Sequence, residues 1–105
     1  MSENKLIMVI VNRGFAEQVV EKSRQHGATG ATILHGRGSA GIGEKFMGMQ
    51  ITPEKETVMI VVNSQIADGV HKELMDLLNT NPNIGGISFI LPVTHMTKKT
   101  TTDNK

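Results

Sequence analysis

Ile7-Met-Val-Ile-Val-Asn12 and Val58-Met-Ile-Val-Val-Asn63 are nearly the same segment written twice. Each is a short run of β-branched and other apolar residues that stops at an asparagine, the pattern of a buried strand. Outward from the first copy, the strand starts at Leu6 and ends at Asn12-Arg13-Gly14. Phe15, Ala16, Val19, Val20 and Ser23 then recur at intervals of three and four as far as His26. That spacing predicts a helix, with Gly27 as the residue just past its end. Ala31 to His35 reads as a second strand. Around the second copy, Thr57 to Val62 is the third strand, and Ile66, Val70, Leu74, Leu77 and Leu78 predict a helix stopped by Asn81-Pro82. Ile87 to Leu91, after the turn Asn83-Ile-Gly-Gly86, is the fourth strand.

The order is therefore β-α-β, a long connection, and β-α-β again. It predicts the α+β class and a ferredoxin-like βαββαβ sandwich, a four-stranded antiparallel sheet with both helices on one face. Such a sheet leaves its other face open, and in an isolated domain that face carries polar residues. Here Leu6, Met8 and Ile10 alternate with Ile7, Val9 and Val11, so the first strand is apolar on both sides, and Met59 and Val61 do the same for the third. A chain this small has no further element to cover the second face. A closed homo-oligomer packed sheet to sheet is the economical expectation.

Composition supports one small unit. The chain has 105 residues with 11 Lys+Arg against 10 Asp+Glu, no Cys, Trp or Tyr, and three Phe. We expect a single domain over residues 1–97 and a frayed tail over residues 98–105, which is rich in Thr, Lys and Asn. The near-zero net charge and the scarcity of aromatics argue against nucleic acid as a partner, since phosphate neutralisation and base stacking both lack their residues. The first and third strands also lack the aromatic residues that an RNA-recognition sheet requires. The absence of Cys excludes disulfides and thiol chemistry. The apolar run Leu6 to Val11 is too short for a membrane span or a secretion signal, so a soluble, cytoplasmic protein is expected.

From Gly36 to about Glu56 there is no sustained period, and Gly36, Gly38, Gly41, Gly43, Gly48 and Pro53 interrupt the stretch. It reads as a loop of roughly twenty residues, a length that is usually functional. Pro53-Glu-Lys-Glu56 reads as a solvated turn feeding the third strand. Gly36-x-Gly38-x-x-Gly41 has the dinucleotide-fingerprint spacing, but no helix follows it, and Glu44-Lys45 stands where a Walker loop needs Lys-Ser or Lys-Thr. Glycines at a strand end with Arg37 between them still suit an anion, through backbone N–H groups and a guanidinium fork. Gly85-Gly86 is a second glycine turn, which the topology brings toward the first across a subunit boundary. Phe46-Met-Gly-Met49 places large apolar groups in the loop, suited to an adaptable contact surface. The four histidines form no i, i+3 or i+4 pair, so no metal site is expected, and no nucleophile or carboxylate pair gives a catalytic signal.

Val11-Asn-Arg-Gly14, Gly27-Ala-Thr-Gly-Ala-Thr-Ile-Leu-His-Gly-Arg-Gly38, Glu44-Lys-Phe46, Pro53-Glu-Lys-Glu56 and Ile84-Gly-Gly-Ile-Ser-Phe-Ile-Leu-Pro-Val93 together resemble the PII-like signal-transduction proteins. These are trimeric ferredoxin-like regulators related to nitrogen regulatory protein PII. The resemblance implies a non-catalytic homotrimer that binds ATP, ADP or AMP in clefts between subunits. It also implies a T-loop, here about Ser39 to Glu56, that changes shape with the ligand and docks on a membrane transporter or a metabolic enzyme. By the same resemblance Thr32 and Val61 lie near the adenine, Gly36, Arg37 and Gly38 line the phosphate side, and Gly85 and Gly86 form the opposite loop. Ile87 stands where PII proteins proper have a lysine, and Lys98 and Lys99 align with their paired arginines. Fewer cationic contacts should weaken triphosphate binding or favour ADP, AMP or a cyclic nucleotide. With no tyrosine in the chain, uridylylation of a T-loop tyrosine is excluded. Two other readings share the fold: a small-molecule-sensing or scaffold trimer, similar to ACT modules or cation-tolerance proteins, and an acylphosphatase-like enzyme using Arg13. The second is disfavoured by Asn12-Arg13-Gly14-Phe15, which lacks that family's glycine-rich loop.

Overall fold

A computed structural model of the chain describes residues 3–38, 45–46, 49–50 and 54–97. Strand β1 (Asn4–Asn12), helix α1 (Ala16–Gln25) and strand β2 (Thr32–Arg37) make the first half. A short hairpin follows, with β3 (Lys45–Phe46) paired to β4 (Met49–Gln50), and then come β5 (Glu54–Asn63), α2 (Ser64–Thr80) and β6 (Ile87–Val93). The main sheet has four strands in the order β2-β5-β1-β6, every neighbouring pair antiparallel. The twice-written strands are the central pair, with Ile7 opposite Ile60 and Val9 opposite Val58. This is the expected ferredoxin-like sheet with two helices on one face.

Two expectations need correcting. Glu54, Lys55 and Glu56 are not a solvated turn: they extend β5, with Lys55 and Glu56 opposite Asn12 and Val11 on one side and all three opposite Arg37 to His35 on the other. Nor is the long connection wholly irregular, since it contains the β3-β4 hairpin. The connection still springs from neighbouring points, because Arg37 pairs with Glu54. The remainder of the expected T-loop and the tail over residues 98–105, with Lys98 and Lys99, lie outside the described residues.

The core lies between sheet and helices. Ile7, Val9, Val11, Val58, Ile60 and Val62 point into it from the strands, and Ala16 and Val19 of α1 and Ala67, Val70 and Leu74 of α2 close it from above. Ser23, buried among them, satisfies its hydroxyl by donating to Val20 O at 2.8 Å. Asn63 ends β5 and starts α2, its Oδ1 accepting from the Gln65 backbone N–H at 2.8 Å. Gly27, at φ +112, follows α1 as expected. Pro92 interrupts nothing, because β6 is an edge strand and a missing donor is tolerated there.

On the opposite face Leu6 sits between Val61 and Leu91, Met8 between Met59 and Phe89, and Ile10 between Thr57 and Ile87. No described element covers them. Val61, Phe89 and Leu91 are 44%, 41% and 42% exposed. No helix among the described residues is long and apolar enough to cross a membrane.

Candidate functional site

Two clefts lie along the β2-β5 side of the sheet. At the start of β2, a cleft of about 640 Å³ is lined by the Gly27–Thr32 connection, by Met59, Val61 and Asn63 of β5, and by Met96. Among the described residues no charged side chain borders it. Its walls offer apolar surface with amide, hydroxyl and backbone groups between, a lining suited to a flat, uncharged, heteroatom-bearing ring. Thr32 and Val61, the residues the resemblance sets near an adenine, both line this cleft.

At the other end of β2, a cleft of about 520 Å³ is lined by Arg13, His35, Gly36, Arg37, Glu54 and Lys55. Among the described residues its lining holds three permanent cations, Arg13, Arg37 and Lys55, and one carboxylate, Glu54. Of the three residues the resemblance sets on a phosphate side, Gly36 and Arg37 line this cleft, whereas Gly38 follows β2 without lining it. Arg13 makes an ion pair with Glu54, both side chains largely in water, so the pair is worth at most about 1 kcal/mol. Lys55 Nζ donates to the neutral Asn12 Oδ1 at 2.6 Å. Among the described residues no carboxylate stands within ion-pair distance of Arg37 or Lys55. Glu56, beside the cleft, is already engaged: its Oε1 accepts from the backbone N–H groups of Gly14 at 3.1 Å and Ala16 at 3.0 Å. Its other oxygen lies 3.5 Å from His35 Nδ1.

The two clefts are separated by the five residue steps from Thr32 to Arg37, about 16 Å of extended strand. Both border an edge strand whose outer backbone groups pair with nothing in the described chain.

Gly85 and Gly86 do not join either cleft within one chain. They precede β6, two strands away from β5, and their small size has an internal cause. Gly85 has φ +55, and a Cβ there would lie 2.5 Å from Asn12 Nδ2; a Cβ on Gly86 would lie 2.8 Å from Leu78 Cδ2 and 3.0 Å from Ile10 O. At Gly36 an added Cβ would meet nothing within 4 Å, so no contact within the described chain requires glycine there.

Sequence reasoning missed His35, Lys55 and Asn12 as neighbours of the cationic cleft. The missing signal was register: once Glu54–Glu56 are strand, antiparallel pairing puts Lys55 opposite Gly36 and Asn12. It also missed the Gly27–Ala31 connection and Met59 at the uncharged cleft. Among the described residues no group of three or more His, Asp or Glu could hold a metal ion.

Fold and site geometry thus define a ferredoxin-like protein with an uncharged and a cationic cleft along one sheet edge. The sequence matches the nitrogen regulatory protein P-II family over residues 4–102, and the chain belongs to that family. No curated protein sequence matches it. Among solved structures, a PII-like signaling protein of Thermus thermophilus is 20% identical, with a TM-score of 0.64 and coverage of 86% of each chain. A DUF3240-family protein of Shewanella baltica is 15% identical, with a TM-score of 0.67, and covers 95% of this chain and 100% of its own. Arabidopsis thaliana PII, in a structure bound to citrate, is 22% identical, with a TM-score of 0.65, and covers 89% of this chain and 77% of its own.

Proposed function

We propose that this chain is a PII-type regulator that binds adenine nucleotides at clefts shared between the subunits of a homotrimer and signals to a partner protein through its T-loop, without catalysis. The observation that carries the reading is the pairing of clefts along β2. A hollow with no charged residue in its described lining is bordered by Thr32 and Val61, and a cationic one by Gly36 and Arg37 at the point where the long connection leaves the sheet. Their spacing suits a base joined through ribose to more than one phosphate, which makes ADP and ATP better ligands than AMP. Arg13 and Lys55 add positive charge at the cationic cleft. In that role they offset the lysine that Ile87 replaces.

The apolar open face supports the trimer. Three sheets turned inward would bury Leu6, Met8, Met59, Val61, Phe89 and Leu91, surface that is costly to leave in water. Nucleotide then acts by population shift: it changes the T-loop only by its difference in affinity for the loop's conformations. A transporter or a metabolic enzyme would read the outcome, in keeping with the PII resemblance and a role in nitrogen regulation.

Calorimetry and thermal shift with ATP, ADP, AMP and cyclic nucleotides, repeated on Arg37→Ala, test this. Loss of one charge-assisted phosphate contact, about 1.5–3 kcal/mol, lowers ADP and ATP affinity by about 10- to 150-fold. No response to any nucleotide at millimolar concentration would sink the reading. The internal packing of Gly85 and Gly86 favours one alternative, a scaffold or small-molecule-sensing trimer in which the glycine loops are only turns. Stabilisation by amino acids or metal ions without nucleotide would promote it.

A further inference from the structure

Asn12, the last residue of β1, is bonded at once to strand β5 and to the turn before β6. Its side-chain Oδ1 accepts from Lys55 Nζ at 2.6 Å, and its Nδ2 donates to Asn83 O at 3.0 Å. Its backbone N–H donates to Ile84 O at 2.8 Å. Gly85 is packed against the same amide, so closely that a Cβ would overlap Nδ2 at 2.5 Å. Lys55 in turn lines the cationic cleft and sits opposite Gly36. A continuous set of contacts therefore runs from that cleft, across β1, to the turn before β6.

The side chain has to be an amide to do this. A carboxylate would hold Lys55 but has no proton to donate to Asn83 O, and an aliphatic group would hold neither. The arrangement is also poised to change. Lys55 rests on a neutral acceptor, and an anion in the cleft is the stronger partner for an ammonium group.

We propose that Asn12 is a positioning residue that couples the cationic cleft to the Gly85-Gly86 turn. When an anion draws Lys55 Nζ away from Oδ1, the amide loses one of its two anchors and reorients, and the turn it braces shifts with it. The identity of that anion as a nucleotide's phosphates rests on the PII-type reading above, whereas the coupling is a property of the single chain.

Amide proton–nitrogen spectra of the full chain test the coupling directly. Lys55→Met should move the resonances of Asn83, Ile84, Gly85 and Gly86 in the chain that retains Asn12. In Asn12→Ala, or in Asn12→Leu should the alanine variant fail to fold, the same Lys55→Met change should leave those four resonances in place while still moving Gly36. The proposal is overturned if the four do not move when Asn12 is present, or move equally when it is absent. Titration with ADP separates the two readings: if ADP does not bind, the nucleotide function falls while the spectra still decide the coupling. If ADP binds and Lys55→Met leaves the turn unmoved, the coupling falls and the nucleotide function stands.

Discussion

Glu56 is a strand residue that acts as a helix cap. Helix α1 has no side-chain cap of its own, because Phe15 occupies the N-cap position. The Glu56 carboxylate, 40 residues away from Ala16 in sequence, accepts the Ala16 N–H, one of those the first turn leaves unpaired, and the Gly14 N–H just ahead of the helix. The negative charge also sits at the positive end of the helix dipole. Glu56→Ala should therefore lower unfolding free energy by about 1–3 kcal/mol, read as a reduced urea midpoint at unchanged slope. Glu56→Gln, which keeps an acceptor and loses the charge, should cost less. None of this was legible in Pro53-Glu-Lys-Glu56. Alternating charged residues look solvated in sequence, and only the helix end lying above β5 gives the carboxylate its partners.

The strands and helices were legible to within a few residues, because each is written in a periodicity that physical burial imposes. The two-residue repeat of Ile7, Val9 and Val11 and of Val58, Ile60 and Val62 is the face that the helices cover. The three-to-four repeat of Val70 and Leu74 is the stripe that covers it. What periodicity could not show is how elements end. β5 begins three residues before the expected start at Thr57, since its first residues are held by backbone pairing and polar contacts instead of by burial. The α2-to-β6 turn depends on close approach: Gly86 is pressed between Leu78 of α2 and the Ile10 carbonyl of β1. Gly86→Ala should be destabilising by about 1–3 kcal/mol, because the methyl group overlaps Leu78 Cδ2 while the Ile10 carbonyl and Val11 crowd it from the other sides. Thermal unfolding of the variant without ligand checks this, and a wild-type melting temperature would refute it.

An open apolar sheet face is a statement about assembly. Met8 lies at its centre, flanked by Met59 and Phe89 on the neighbouring strands. Under the trimer proposal, Met8→Lys places a charge in the middle of a buried interface, and sedimentation should report a shift from trimer to monomer with nucleotide binding lost alongside. A Met8→Lys chain that remains trimeric would contradict sheet-to-sheet packing. The sequence by itself determined the class of the fold, the apolarity of both sheet faces and the family, since these are carried by periodicity, composition and contiguous motifs. Only the tertiary structure decided that Thr32 and Val61 share one cleft, that Gly36 and Arg37 share another with Arg13 and Lys55, and that Asn12 stands between Lys55 and the glycine turn. The reason is strand register. Side chains distant in sequence become neighbours when antiparallel strands align, and no local pattern of residues encodes which polar groups then face each other.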